Sequence, residues 1–161
     1  MSDLSSKPEL QTVHFEFESS STAPGPQWKR KGSGQARFQI SPDLLQVEES
    51  GKWWEAEATR ESGHSFMKSF RLEKDPDKVL HYSKSTPSGE RLELLRLIRG
   101  PDGVWTSPEP HLCIDDVYRA ALSLEGRDGF SLTWWSRGPA KNYVLCTRYH
   151  GTRLIRNWLE S

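Results

Sequence analysis

HLCIDDVYRAALSLEGRDGFSLTWWSRGPAKNYVLCTRY, residues His111–Tyr149, is the stretch whose reading decides the fold. It predicts three strands, Val117–Glu125, Phe130–Arg137 and Asn142–His150. Gly126-Arg-Asp-Gly and Gly138-Pro-Ala-Lys form the hairpin turns between them. Side chains alternate between the two faces of a strand, so each strand has two sets. Phe130, Leu132 and Trp134 share one face, and Ser131, Thr133, Trp135 and Arg137 share the other. In the next strand Tyr143, Leu145 and Thr147 oppose Val144, Cys146 and Arg148. In the preceding one Tyr118, Ala120 and Leu122 oppose Arg119, Ala121 and Ser123. Each strand thus carries a mostly apolar face and a face that mixes arginine with small or aromatic groups.

Working outward, the same period of two recurs upstream. Val13, Phe15 and Phe17 alternate with polar residues, as do Ala36, Phe38 and Ile40, Leu45 and Val47, and Phe66 to Leu72. Val79–Lys84 and Arg91–Arg99 read as further strands, bounded by Asp75-Pro-Asp-Lys, Thr86-Pro-Ser-Gly and Gly100-Pro-Asp-Gly. Trp53–Arg60 has helical composition but strand length. The glycines at 32 and 34 suggest a tight turn or bulge after Trp28-Lys-Arg-Lys. Thr152–Leu159 suits a last strand or a short helix. About nine or ten short strands separated by regular turns predict an all-β domain, a sandwich or a single antiparallel barrel, and closure into a barrel removes exposed edges. Residues 1–11 are expected to be a loose tail and residues 12–161 the barrel domain.

Composition narrows the function. The 161 residues are 34% hydrophobic and 27% charged, with an aromatic share of 11% that includes seven tryptophans. Each buried aromatic removes about 150–250 Å² from water, which offsets the low aliphatic content. Equal numbers of basic and acidic residues, 22 of each, argue against a duplex nucleic-acid binder. No apolar run approaches the ~20 residues of a membrane helix. The opening MSDLSSKPELQTV lacks the apolar core of a signal peptide, so the expectation is a cytoplasmic protein with no membrane association. Cys113 and Cys146 then read as free thiols packed as small hydrophobes.

The arginine-bearing faces carry the functional reading. The simplest view places them in solvent. The alternative turns them inward, where Arg119, Trp135, Arg137 and Arg148, with Tyr143, line a ligand cavity. Buried guanidinium groups need carboxylates or an anionic ligand, so an acid with an apolar body suits such a site. Glu48, Asp115 and Asp116 are the internal partners if the cluster is structural. His111, Asp116, Tyr118 and Lys141 are the acid–base candidates for an isomerase or hydrolase using the same cavity: His111 or Asp116 as base, Tyr118 or Lys141 as acid. His111-x-Cys113 with Asp115-Asp116 has ligand residue types but not the spacing of a zinc site, so neither metal nor cofactor is expected. A cysteine–histidine nucleophile pair needs an adjacency that sequence does not establish. Trp28-Lys-Arg-Lys is the one basic–aromatic cluster, and it leaves open a tryptophan-rich module for a protein or RNA partner.

His111-Leu-Cys113-x-x-Asp116-x-Tyr118, Trp135-x-x-Gly138-Pro139-x-Lys141-x-Tyr143 and Thr147-x-Tyr149 together resemble the signature of a domain-of-unknown-function family. Gly34-x-Ala36-x-Phe38 and Glu48-x-x-Gly51 resemble its earlier part. The resemblance spans about Val13 to Tyr149. It implies a small calycin-like β-barrel and marks these positions, without implying a reaction.

Overall fold

In a computed structural model, which describes residues 7–22, 27–113, 115–139 and 142–161, the chain is almost entirely β. The strands are β1 (Glu9–Ser21), β2 (Lys29–Ser41), β3 (Leu44–Glu55), β4 (His64–Lys74), β5 (Leu80–Ser85), β6 (Arg91–Arg99), β7 (Trp105–Thr106), β8 (His111–Cys113), β9 (Asp116–Glu125), β10 (Gly129–Arg137) and β11 (Asn142–Tyr149). One α-helix, α1 (Arg153–Glu160), follows, and a short 3-10 turn, Arg60–Ser62, joins β3 to β4. From β1 to β7 each strand pairs antiparallel with the next, β7 pairs with β9 rather than β8, β9 to β11 form a meander, and β11 returns to β1. Ten strands therefore close into a barrel, and β8 hangs on the edge of β9. Closure removes the free edges that an open sheet of this size would present.

Several boundaries differ from the sequence reading. Glu9–Gln11 already pair with Phe38–Ile40, so β1 begins inside the expected tail. The stretch from Trp53 stays in β3 only as far as Glu55. Gly32 and Gly34 sit within β2 rather than in a turn. Their value is room. A Cβ on Gly32 would lie 2.0 Å from the Phe17 ring, and one on Gly34 would lie 2.1 Å from the Ser50 carbonyl oxygen. Gly34 faces Gly51 across the β2–β3 ladder, so two backbones approach where any side chain would hold them apart.

The barrel has two unlike ends. At one end α1 buries Ile155, Trp158 and Leu159, an i, i+3, i+4 stripe that settles the tail as helix. The Trp158 indole donates to the Ser41 carbonyl at 2.8 Å, and Thr152 Oγ1 donates to the Asp128 carbonyl at 2.6 Å. Lys74 is buried beneath the helix. Its ammonium donates to the Trp158 carbonyl and, at 2.7 Å, to Ser161 Oγ, and lies 4.3 Å from the Trp158 ring. A cation at the C-terminal carbonyls suits the helix dipole. Burial, and next the charge of Lys78, lower the Lys74 pKa, with Asp43 opposing.

Above the helix the interior is packed. Tyr149 stacks on Phe130 at 4.5 Å and meets the Phe38 ring edge-on at 5.7 Å, while Leu45, Leu97, Trp105 and Leu122 close the remaining space. Such aromatic pairs contribute about 0.5–1.5 kcal/mol each beyond the area they bury.

Candidate functional site

The opposite end carries no α-helix among the described residues, only the short 3-10 turn Arg60–Ser62 between β3 and β4. Going up the inner wall from the packed core, the side chains change character. Glu49 on β3 points inward and is 1% exposed. The Tyr149 hydroxyl donates to its Oε2, and Lys68 Nζ on β4 lies 3.3 Å from Oε1. That oxygen accepts no hydrogen bond among the described residues, because Lys68 stands off the direction a hydrogen bond needs. Tyr82 on β5 is buried beside the cluster, its ring stacked on Phe70 at 5.0 Å and tilted against Trp134 at 5.3 Å. Burial first, and the Glu49 charge second, raise the Tyr82 and Tyr149 pKa values, so both stay protonated as donors.

Lys84 lies two residues beyond Tyr82 on the same side of β5, near enough to sense both Glu49 and Lys68. The residue as a whole is exposed. Burial and then repulsion from Lys68 lower its pKa, and Glu49 partly offsets them. Among the described residues it makes no hydrogen bond or ion pair. The cluster therefore sets one carboxylate against two ammonium groups. Phe17 and Phe66 meet edge-to-face at 5.7 Å beside it. Ser136, 2% exposed, adds a hydroxyl without a described partner on the inner face of β10.

The rim is aromatic. The Arg30 guanidinium lies over both Trp28, at 4.5 Å, and Trp53, at 4.9 Å, and its Nε bonds Glu55 at 3.1 Å. His64 lies against Trp53 at 4.6 Å. The Trp28-Lys-Arg-Lys cluster is thus a stack at the top of the long β2–β3 hairpin.

The structure corrects the orientation expected of the last three strands. Phe130, Leu132, Trp134, Ala120, Leu122, Thr147 and Tyr149 form the inner face, and the arginines lie outside. Arg119, Arg137 and Arg148 are exposed, and Trp135 is 43% exposed. The reason is energetic: burying three guanidinium groups costs several kcal/mol each, whereas burying the opposite face removes aromatic and aliphatic area from water. Arg148 is drawn to Glu125 at 3.5 Å, away from the others. Arg119, Trp135, Arg137 and Tyr143 do come together, as borders of an open groove of about 920 Å³ on the outer wall, with Leu112 opposite. Glu48 is likewise exposed on the outside.

His111 and Tyr118 are cross-strand partners with rings 6.2 Å apart. Asp116 packs on Gly138, where a Cβ would stand 2.0 Å from its Oδ1, so that glycine makes room for the carboxylate. Lys141 lies outside the described residues. Cys146 is a free thiol, half-buried on the outer face, with the Thr133 hydroxyl 3.5 Å from its sulfur. The residues missed by sequence reasoning, Glu49, Lys68, Tyr82 and Lys84, come from three different strands. Their only local signal is a charged residue at an inward position of an otherwise apolar alternation.

No group of three or more metal-ligating side chains occurs among the described residues, and no described helix is long and apolar enough to cross a membrane. The architecture is that of a small closed β-barrel stoppered at one end by its own helix. The chain belongs to a family of unknown function, DUF6314, whose model matches residues 15–151. Neither the curated proteins nor the solved structures yield a match.

Proposed function

We propose that the protein binds a small, partly apolar anionic ligand at the end of the barrel opposite α1. One observation carries this reading: Glu49, Lys68 and Lys84 leave one positive charge uncompensated beside aromatic rings. An anionic head group would pair with Lys84 while the apolar body rests against Phe17, Phe66 and Trp134. A charge of this kind, set in partly desolvated surroundings, favours a counter-ion far more than it would in water. The anionic ligand expected from sequence is kept, and its holder moves from the arginines to the lysines. The free thiol of Cys146 fits a cytoplasmic protein.

The test uses 1-anilinonaphthalene-8-sulfonate, an anion with an apolar body. Wild-type protein should bind it with blue-shifted emission, and Lys84→Met should weaken binding at least tenfold. Equal binding by both proteins, or none by either, overturns the reading.

A second reading rests on the outer groove. Arg119 and Arg137 flank exposed Trp135 and make no ion pair among the described residues. An acidic protein segment with one apolar side chain fits such a surface, the tryptophan and arginines acting as anchors. Trp135→Ala with Arg137→Ala should then abolish co-purification of an acidic partner while leaving the dye titration unchanged.

A further inference from the structure

We propose that the groove on the outer wall is a phosphopeptide site, in which Arg119 and Arg137 hold the phosphate and an apolar side chain of the peptide lies between Trp135 and Leu112. This rests on the second reading above, in which the groove takes an acidic protein segment, and it names the acid.

The groove follows from the sequence between β7 and β8. Ser107 still pairs with β9: its N–H donates to the Ala120 carbonyl at 3.1 Å, and its hydroxyl accepts the Ala120 N–H at 3.1 Å. His111 pairs with Tyr118. Pro108, Glu109 and Pro110 therefore pass a single residue, Arg119, and the two prolines have no N–H to give a ladder. Three residues opposite one make the wall bulge there. The groove of about 920 Å³ lies beside that bulge, over the small side chains of Val117 and Ala121.

Register brings the two arginines to the same place. Arg119 is the cross-strand partner of Trp135, and Arg137 is that of Val117. Arg119 and Arg137 are thus diagonal neighbours on one face of the β9–β10 ladder, with Cβ atoms about 7–8 Å apart. Side chains of arginine length can both reach one anion from that spacing. The end of β10 that carries Arg137 is held by Asn142, its partner on β11, whose Nδ2 donates to the Gly138 carbonyl at 2.6 Å.

Nearby carboxylates are engaged elsewhere. Glu109, on the bulge itself, pairs with Arg96 at 3.7 Å, and Glu125, at the far end of β9, pairs with Arg148 at 3.5 Å. Asp116 alternates onto the Tyr118 side of β9 and lies against Gly138. Among the described residues Arg119 and Arg137 are the only cations lining the groove, and neither makes an ion pair there.

Charge decides the class of acid. A carboxylate carries one negative charge and would leave one guanidinium bare. A phosphate monoester carries about −1.5 to −2 at neutral pH and offers three acceptor oxygens, which two planar arginine forks can share. Trp135 and Leu112, both exposed, flank the trough for an apolar neighbour. A nucleic-acid strand asks for a row of cations along its backbone, and two do not make a row.

The experiment follows fluorescence polarisation as the full chain is added to a fluorescein-labelled peptide pool. Each peptide has one phosphorylated serine, threonine or tyrosine at a fixed position beside a fixed leucine, with the flanks randomised. The same pool with glutamate at the fixed position, and labelled oligouridylate, are titrated in parallel. We expect the phosphorylated pool to bind at least tenfold more tightly than the glutamate pool. Arg119→Met and Arg137→Met should each weaken that binding at least tenfold, while Arg148→Met, outside the groove, should leave it unchanged. All three side chains are exposed, and thermal transitions establish that the variants fold. Equal binding of the two pools overturns the phosphate and leaves the acidic-segment reading intact. Binding that survives both arginine substitutions, or that oligouridylate matches, overturns the proposal. Binding of neither pool removes the proposal and the acidic-segment reading together.

Discussion

The Tyr149 hydroxyl donates to the Glu49 carboxylate inside the barrel, joining β11 to β3 across one hundred residues of chain. The contact ties the last strand to the third and holds a carboxylate where water does not reach. A buried acceptor that loses its donor bears its full desolvation cost. Tyr149→Phe should therefore lower stability by about 1–3 kcal/mol, measured by urea unfolding at neutral pH. A loss near zero would mean that Lys68 alone satisfies Glu49.

The glycines of β2 make a second prediction. Gly34→Ala places a methyl group against backbone atoms of Ser50 and Gly51, which have no rotamer to escape into. Gly32→Ala meets the Phe17 ring, a side chain that can be trimmed. Overpacking of this kind costs about 1–3 kcal/mol. Phe17→Ala should restore part of the loss in Gly32→Ala and none in Gly34→Ala. A double-mutant cycle from chemical unfolding separates the two cases.

His81 supplies a pH-dependent prediction. On the outer wall its Nε2 bonds Asp75 at 2.9 Å and its Nδ1 bonds Glu93. Burial works to lower the His81 pKa, but the bonds to Asp75 and Glu93 outweigh it and hold the value above the ordinary 6.5. Its stabilising contribution is thus complete below pH 6.5 and is lost as pH rises through the raised folded value. The His81 bond also holds the Asp75 pKa below the ordinary 3.8, so that carboxylate's contribution persists above 3.8 and is lost as pH falls through its lowered folded value. The melting-temperature gap between wild type and His81→Gln should peak between about pH 4 and pH 6.5 and shrink toward pH 9. A gap that stays constant across that range would refute the clamp.

Lys74 provides a fourth test. Its ammonium holds the carbonyl of Trp158 and supports the ring of the same residue. Lys74→Ala should loosen α1 first, seen as faster amide exchange at Ile155 and Leu159 while exchange in β2 and β3 stays slow. Uniform acceleration through the barrel would show instead that helix and barrel open as one unit.

The sequence was legible where structure is local. Alternation located most of the strands, and Gly126-Arg-Asp-Gly marked the turn between β9 and β10, while Gly138-Pro-Ala-Lys lies partly outside the described residues. The two-residue β7 and three-residue β8 are too short to show a period. Alternation also divides a strand into two faces without saying which one turns inward. Trp134 and Trp135 are neighbours of equal hydrophobicity, so the choice fell to Arg119, Arg137 and Arg148, and desolvation cost sends those outward. The inner cluster was hidden for another reason. Glu49, Lys68 and Lys84 are separated by 19 and 16 residues, and it is the register of the β3–β4 ladder, in which Glu49 faces Lys68, and the pairing of β5 beside it that make them neighbours.

The stopper formed by α1 closes one end of the barrel. On the proposed reading a ligand reaches the lysines past the Trp28–Arg30–Trp53 stack at the other end, so its residence time would be set at that threshold and not at the floor. Loosening the stack by Arg30→Ala would then change how fast a guest exchanges more than how tightly it is held.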